Sequence, residues 1–281
     1  MPGLLAFHAH PDDESLSMGG TLARYAAAGE RVVVVTATRG EAGEIHNHDA
    51  PEALRDSLGE VREAELRAAC AILGVDEVEL LGYRDSGMEG TADNGHPDAF
   101  CRGEFLEAVG RLVRLIRRHR PDVVTAYDPF GGYGHPDHVQ VHRVGTAAYF
   151  GAADLGRFPP AEGEEPWQPA KLYWVTWPRE RSRLRYRAMA AAGEIPQEEA
   201  EQEPGTGMPD EHITTLLDVD PWFDRKWAAI LAHRTQMAEG SWFMTLPEET
   251  RRRGFGREAY ILAGSRVEVP AAESDLFTGL R

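Results

Sequence analysis

The sequence predicts an α/β fold: a Rossmann-like, mostly parallel twisted sheet with helices on both faces and a smaller C-terminal lobe. Short apolar or β-branched runs alternate with stretches of helical period over the first half of the chain. Glycine or proline follows several of the helical stretches, as at helix ends in other proteins. With 281 residues, 42% of them hydrophobic, the chain can also bury a sizeable core.

The elements follow in order along the chain. Strands are predicted at 4–7, 32–35, 78–81, 123–126, 171–176 and 259–262. Helices are predicted at 16–28, 60–73, 105–119, 136–149 and 222–237. Gly29 and Gly74 end the first two helices, and Pro121 follows the third. The run of four valines at 32–35 is typical of a parallel strand buried on both faces.

The pattern loosens after about residue 150, which suggests two parts of one integrated domain. We expect a metal-binding catalytic core over residues 1–160 and a C-terminal lobe over 161–281 that completes the sheet and the substrate cleft. The segment 194–210 is rich in Glu, Gly and Pro and is predicted to be a surface loop. A lid function for this segment is left open.

The amino-acid composition limits the kinds of molecule that the chain is expected to bind. The chain has 30 Lys+Arg against 46 Asp+Glu, a formal net charge of −16, which disfavours nucleic acid. No apolar run approaches the roughly 20 residues that cross a bilayer, and the first residues lack the basic region of a signal peptide, so we expect a cytoplasmic protein with no membrane partner. The two cysteines exclude a thiolate zinc cluster, so any metal must be held by His and carboxylates. Oligomeric state is left open.

The first strand runs directly into a loop of imidazoles and carboxylates, at the sheet edge where open α/β folds place their sites. His10 and Asp13 are three residues apart across a turn, so both can converge on one ion such as Zn²⁺. Asp12 then points to another side of the ion, where it can accept a proton from water. Because no glycine-rich phosphate loop follows the strand, a dinucleotide-binding oxidoreductase is disfavoured.

A second cluster, at residues 128–138, follows the predicted strand 123–126. His138 can complete a triad with His10 and Asp13, and three protein ligands with an open fourth position are typical of catalytic zinc. Tyr133 and His135 can face a developing oxyanion. Asp137 can hold His135 or a ligand in its tautomer.

The residues alone leave alternatives open. His142 lies four residues from His138 on a predicted helix and is a competing ligand. Asp13 or Ser15 can instead cap the helix that follows. His8 is expected to pack in the core rather than bind metal.

These two motifs resemble those of the LmbE-like, or PIG-L, family of zinc deacetylases. The similarity is strong over the first half and looser afterwards, and is greatest to the branch of mycothiol metabolism. The segments that carry it are 10–14, 40–44, 83–88 and 132–138, with weaker matches at 166–167, 171–174, 233–236 and 274–277.

The resemblance implies a role for each motif residue. It implies that His10, Asp13 and His138 bind zinc, with Fe²⁺ as the alternative ion, and that Asp12 is the general base. It further implies that Tyr133 and His135 assist the tetrahedral intermediate. Arg62 and Asp85 would contact the small-molecule substrate, and Asp137 would support His135.

We therefore expect a zinc-dependent amide hydrolase that removes an acyl group from the amino nitrogen of a glucosamine-type substrate, such as N-acetylglucosaminyl-inositol. The alternatives are a mycothiol S-conjugate amidase and a deacetylase of another amino sugar or secondary metabolite. Residues 85–91 resemble the deacetylase, and residues 157–173 resemble the amidase. Two alternative functions belong to other classes of protein. One is a sugar-binding scaffold whose motifs only cap helices, and the other is a metal phosphoesterase.

Overall fold

The computed structural model describes residues 3–281, and one mixed sheet of seven strands forms its centre. The sheet order is β3-β2-β1-β4-β5-β7-β6. Strands β1 to β5 pair in parallel, and β7 runs antiparallel to β5 and β6. The predicted fold class is confirmed. The strands are β1 (Gly3–His8), β2 (Arg31–Thr38), β3 (Glu77–Tyr83), β4 (Val123–Tyr127), β5 (Lys171–Thr176), β6 (Thr215–Asp218) and β7 (Arg257–Ser265).

Ten helices surround this sheet in the described chain. They are α1 (Asp13–Ala27), α2 (Pro51–Leu54), α3 (Leu58–Leu73), α4 (Phe105–His119), α5 (Pro136–Gly151), α6 (Arg179–Ala192), α7 (Gln197–Ala200), α8 (Phe223–Ala232), α9 (Trp242–Thr245) and α10 (Glu248–Phe255). Gly29 and Gly74 follow α1 and α3 with φ of +80° and +85°, the left-handed conformation that glycine adopts without strain. None of these helices combines the length and apolarity needed to cross a bilayer.

The strand order reverses between β1 and β4, and this reversal creates the crevice that holds the site. Right-handed crossovers place α1 and α3 on one face, and α4 and α5 on the other. Helices α1, α3 and α8 pack together, as do α4 and α5. Because β1 and β4 are paired in parallel, the loops after them leave the same edge of the sheet side by side.

The C-terminal half contributes β5, β6 and β7 to the same sheet, and the division at residue 160 stays a prediction. Several elements here were not predicted. Strand β6 has only four residues, and α6 is rich in arginine, so neither carries a strong hydrophobic period. The segment predicted as a loop, 194–210, contains α7, which packs against α6. The helix predicted to reach residue 237 ends at Ala232.

Candidate active site

The turn between β1 and α1 holds Asp12 in an unusual backbone conformation. Its φ is 112° and its ψ is −30°, a region that residues other than glycine rarely adopt. The backbone N–H of Asp12 donates to Oε2 of Glu14 at 2.9 Å. Strained backbone of this kind persists only where surrounding contacts hold it, and it concentrates at functional sites.

The capping role considered for Asp13 and Ser15 does not occur, because α1 begins without a side-chain cap hydrogen bond. The Asp13 carboxylate instead accepts the backbone N–H of His10 at 2.9 Å. The hydroxyl of Ser15 donates to Glu14 at 2.5 Å. The carboxylate of Asp13 therefore stays in the crevice and does not fold back onto the helix end.

His10, Asp13 and His138 converge at the crevice. Oδ2 of Asp13 lies 3.5 Å from Nδ1 of His10 and 3.4 Å from Nε2 of His138. Zn–N and Zn–O bonds of about 2.0–2.2 Å in a tetrahedral site put neighbouring ligand atoms roughly 3.3–3.6 Å apart. The spacing to Asp13 is therefore that of ligands on one small ion.

The hydrogen bond of Nδ1 of His138 determines which form of its Nε2 faces Asp13. Nδ1 of His138 lies 3.2 Å from the carbonyl oxygen of Gly131, which can only accept, so Nδ1 carries the proton. In the neutral ring, Nε2 of His138 is then a buried lone pair, and it has no hydrogen-bond partner among residues 3–281. A buried acceptor that faces a carboxylate is unfavourable unless a cation lies between them, so this cluster fits a metal ion.

Carboxylates surround the other side of His10. Its Nε2 lies 3.2 Å from Oδ2 of Asp137 and 3.3 Å from Oδ1 of Asp85. Burial opposes a charge on His10, but Asp85, Asp13 and Asp137 raise its pKa well above 6.5. These carboxylates create a negative potential that attracts a cation to the crevice.

Three other groupings of potential ligands exist in the described part of the chain, and Asp13 belongs to none of them. His10 and His138 also come together with His135, and His10 comes together with Asp85 and Asp137; in each group one atom per residue lies within 4.8 Å of the others. A third group, around His119, lies away from the crevice. His142 belongs to none of these groups within residues 3–281. Its Nδ1 lies 3.0 Å from the Tyr127 carbonyl and its ring packs on Trp174.

Arg62 lies directly beside Asp12. One guanidinium nitrogen is 3.1 Å from Oδ2 of Asp12 and 2.6 Å from the carbonyl oxygen of Pro11, and the other donates to Gly40 at 2.7 Å. Arg62 lines the cleft but is only 3% exposed. Burial raises the pKa of Asp12 to about 6, and the positive charge of Arg62 opposes this rise. The structure thus joins Arg62 to the predicted base.

The glycine-rich loop after β4 packs too tightly for larger residues. Gly131 and Gly132 have φ of +57° and +74°. A Cβ atom on Gly132 would lie 2.2 Å from the ring of Trp177, and one on Gly131 would lie 2.5 Å from Cβ of His138. Asp128 fixes the loop by accepting the N–H of Gly132 at 3.1 Å. The loop can therefore approach His138 closely.

Tyr133 and His135 project from this loop beside the cluster. The Tyr133 ring centroid is 4.9 Å from that of His138, and the His135 centroid is 4.6 Å from that of His10. Nδ1 of His135 accepts the backbone N–H of Asp137 at 3.1 Å, which leaves the ring proton on Nε2. Burial, with His10 and His138 nearby, lowers the pKa of His135 to about 4. His135 is therefore a neutral donor at physiological pH.

The carboxylate of Asp137 contacts His10 rather than His135. It also accepts the backbone N–H of Ser86 at 2.9 Å and the hydroxyl of the same residue. Of the two arrangements that the sequence left open for Asp137, the structure shows a carboxylate that orients a potential ligand. His8 is fully buried, as expected, with Nδ1 3.0 Å from the Tyr127 hydroxyl.

A cleft of about 540 Å³ lies over this cluster. The loops after β2 and β3 form one wall, which includes Glu44, Asp85 and Met88. Trp177, α6 and Phe255 form part of the opposite wall. The sequence analysis expected the C-terminal lobe to complete the cleft but named none of these residues, because they lie in the half of the chain where the motif matches are weaker.

Fold and site together define an enzyme of the α/β class with a candidate metal centre at a strand-order reversal. Residues 5–149 match the family model described as PIG-L, GlcNAc-PI de-N-acetylase. The chain belongs to this family and is a hydrolase acting on amide bonds, so the resemblance seen in the sequence is confirmed.

The chain is similar along its whole length to curated relatives. It is 44% identical to the 1D-myo-inositol 2-acetamido-2-deoxy-alpha-D-glucopyranoside deacetylase of Thermomonospora curvata, over 99% of this chain and 96% of the relative. It is also 44% identical to the protein of the same name from Acidothermus cellulolyticus, over 99% and 94%. The fold is similar to that of N,N'-diacetylchitobiose deacetylase from Pyrococcus horikoshii, with a TM-score of 0.66 and 19% identity over 98% of this chain and 85% of that one.

Proposed function

We propose that this chain removes the acetyl group from N-acetylglucosaminyl-inositol and that it uses Zn²⁺ held by His10, Asp13 and His138. The observation that carries the proposal is the convergence of two buried imidazoles and one carboxylate beside Asp12. The names of the relatives that are similar over 99% of the chain support the choice of substrate.

The chain's own residues supply the proton transfers. Asp12 accepts a proton from the attacking water as the water oxygen bonds to the carbonyl carbon, and it returns a proton to the amine nitrogen as the C–N bond breaks. A pKa of about 6 suits both steps near neutral pH. Acetate and a free amine are the products. The bound ion would act as a Lewis acid.

Tyr133 and His135 are proposed to stabilise the negative charge that develops on the carbonyl oxygen. Tyr133 is 41% exposed and lines the cleft, and His135 presents Nε2–H as a neutral donor. Donors fixed in place before the reaction cost no reorganisation when the charge appears. This arrangement supports the oxyanion role for both residues.

Arg62 and Asp85 were both expected to contact the substrate, but their hydrogen-bond partners indicate different roles. The hydrogen bonds of Arg62 go to Asp12 and to two backbone carbonyls, so we propose that Arg62 acts through the base. Asp85 lines the cleft and accepts the N–H groups of Gly87 and Ala42 at 2.9 and 3.2 Å. This fixed carboxylate is proposed to accept a hydrogen bond from a sugar hydroxyl, since Oδ2, which does not face His10, can accept a second hydrogen bond.

An assay panel tests the proposal. The purified protein, loaded with Zn²⁺ or Fe²⁺, is given N-acetylglucosaminyl-inositol, N-acetylglucosamine and a mycothiol S-conjugate at equal concentration, and free amine is measured. We expect the highest kcat/KM with N-acetylglucosaminyl-inositol and Zn²⁺. Preferred turnover of the S-conjugate would instead identify an amidase. Asp12→Asn is the control for contaminating activity.

A further inference from the structure

Helix α6 places two arginines in the cleft. Arg181 and Arg185 are four residues apart, so they lie on the same face of the helix, and both line the cavity over the metal cluster. The guanidinium of Arg181 lies over the Phe255 ring, 4.8 Å from its centroid. Arg185 lies near enough to Tyr133 to act on its pKa through its charge. The arginine pair, Arg181 and Arg185, is therefore close to the reacting groups.

The other arginines near the start of α6 differ from this pair. Arg183 is 2.8 Å from Glu203 and 3.3 Å from Glu180, and Arg179 is 3.9 Å from Glu203. By contrast, no acidic side chain within residues 3–281 lies within 4.0 Å of a guanidinium nitrogen of Arg181 or Arg185. Nε of Arg185 is buried and has no hydrogen-bond partner in that range, which is also true of Nε of Arg179. Arg183 is therefore paired with two carboxylates and Arg179 loosely with one, whereas Arg181 and Arg185 in the cleft are paired with none in that range.

The unneutralised pair is electrostatically costly. Burial lowers the pKa of Arg181 to about 10; the negative charge of Glu258 opposes this effect, and the like charge of Arg185 adds to it to a smaller extent. Glu258 is already engaged by Nζ of Lys226 at 2.6 Å and by the backbone N–H groups of Gly20 and Thr21. A chain with net charge −16 has many carboxylates that could pair with arginine. Two arginines that line one cleft without a carboxylate partner are the arrangement expected of a site for an anionic ligand.

We infer that Arg181 and Arg185 form an anion subsite of the cleft that takes a phosphate or carboxylate group, so that an N-acylated glucosaminyl-inositol carrying such a group binds more tightly than the uncharged compound. The planar forks of two guanidinium groups match the oxygens of either anion. The subsite lies across the β1–β4 crevice from Glu44 and Asp85, because α6 follows β5 whereas those residues follow β2 and β3. The cleavage of an anionic substrate rests on the proposed function, whereas the binding of the anion does not.

Binding of inorganic phosphate tests the subsite without hydrolysis. The full-length protein and its variants are brought to equal metal content and titrated by calorimetry. We expect Arg185→Gln and Arg181→Gln to weaken phosphate binding at least tenfold, whereas Arg183→Gln, on the outer face of the same helix, binds like the native protein. Equal affinity in all four proteins would overturn the inference. Because no amide is cleaved, this result is independent of the proposed reaction.

Kinetics with matched substrates identify the source of the anion. One arm compares N-acetylglucosaminyl-inositol with the same compound phosphorylated on the inositol, and the other compares N-acetyl with N-succinyl glucosaminyl-inositol. We expect the anionic substrate of one pair to have a kcat/KM about tenfold or more above that of its uncharged partner, mainly through a lower KM. Arg185→Gln should remove that difference. The inference fails if neither anionic substrate is preferred, or if Arg185→Gln keeps the preference. No hydrolysis of any amide, together with loss of phosphate binding in Arg185→Gln, would reject the proposed function alone.

Discussion

His233 and Glu14 form a fully buried pair, with Nε2 of His233 2.7 Å from Oε1 of Glu14, although 219 positions separate them in the chain. Burial alone would raise the pKa of Glu14, but the charge and hydrogen bond of His233 hold it below its usual range. The second carboxylate oxygen of Glu14 accepts the N–H of Asp12. The pair therefore anchors the strained turn that carries the proposed base.

His233→Ala tests this anchoring. The substitution leaves the Glu14 carboxylate buried without its partner, and loss of one member of such a pair costs about 3–5 kcal/mol. We expect the free energy of unfolding, measured with urea, to fall by that order. His233→Gln, which keeps a donor, should recover part of the loss. Equal stability of His233→Ala and the native protein would contradict the role of the pair.

The metal content of alanine variants distinguishes the three proposed ligands from His142, which lies on α5 with His138. We expect alanine at His10, Asp13 or His138 to reduce the divalent metal per chain, measured by elemental analysis. His142→Ala is the matched control, because His142 lies one helical turn after His138 yet contacts Tyr127 and Trp174. Full occupancy in His138→Ala with loss in His142→Ala would reverse the assignment.

Asp12→Asn separates proton transfer from metal binding. The amide is nearly isosteric with the carboxylate but cannot accept the proton, so kcat should fall by roughly 10²–10⁴. Metal content should stay at the native value, because Asp12 is proposed as a base and not as a ligand. Normal turnover with retained metal would remove Asp12 from the reaction.

Tyr133→Phe removes one proposed hydrogen-bond donor and leaves the ring that packs near His138. Loss of one oxyanion donor costs about 10²–10³ in kcat. We expect a decrease of that order with little change in KM and in metal content, measured by steady-state kinetics. An unchanged kcat would assign Tyr133 to packing alone.

The pH dependence follows from Asp12. This group accepts a proton only when ionised, and burial raises its pKa to about 6, so kcat/KM should fall as the pH decreases, with a midpoint no higher than about 6. A bound cation would move this midpoint to lower pH. Arg62→Gln removes the positive charge 3.1 Å away and should move it to higher pH. A midpoint that stays in place or moves to lower pH in Arg62→Gln would show that Asp12 does not control the profile.

Local signals in the sequence were enough for the core of the fold. The valine run of β2, the glycines after α1 and α3, and the proline after α4 are short-range features whose physical effect depends little on distant residues. The proximity of His10 and His138 was also predictable, because parallel strands that pair side by side bring their carboxyl ends to one edge.

The sequence by itself therefore determined six of the seven strands, the family and the motif residues that gather at the sheet edge. Tertiary structure alone decided what those residues contact: Asp137 with His10, Arg62 with Asp12, and Glu14 with His233. Periodicity and motif spacing report only on nearby residues, whereas these contacts join elements far apart in the chain. The unneutralised charges of α6 likewise depend on which carboxylates the fold brings within reach, and no local pattern encodes that.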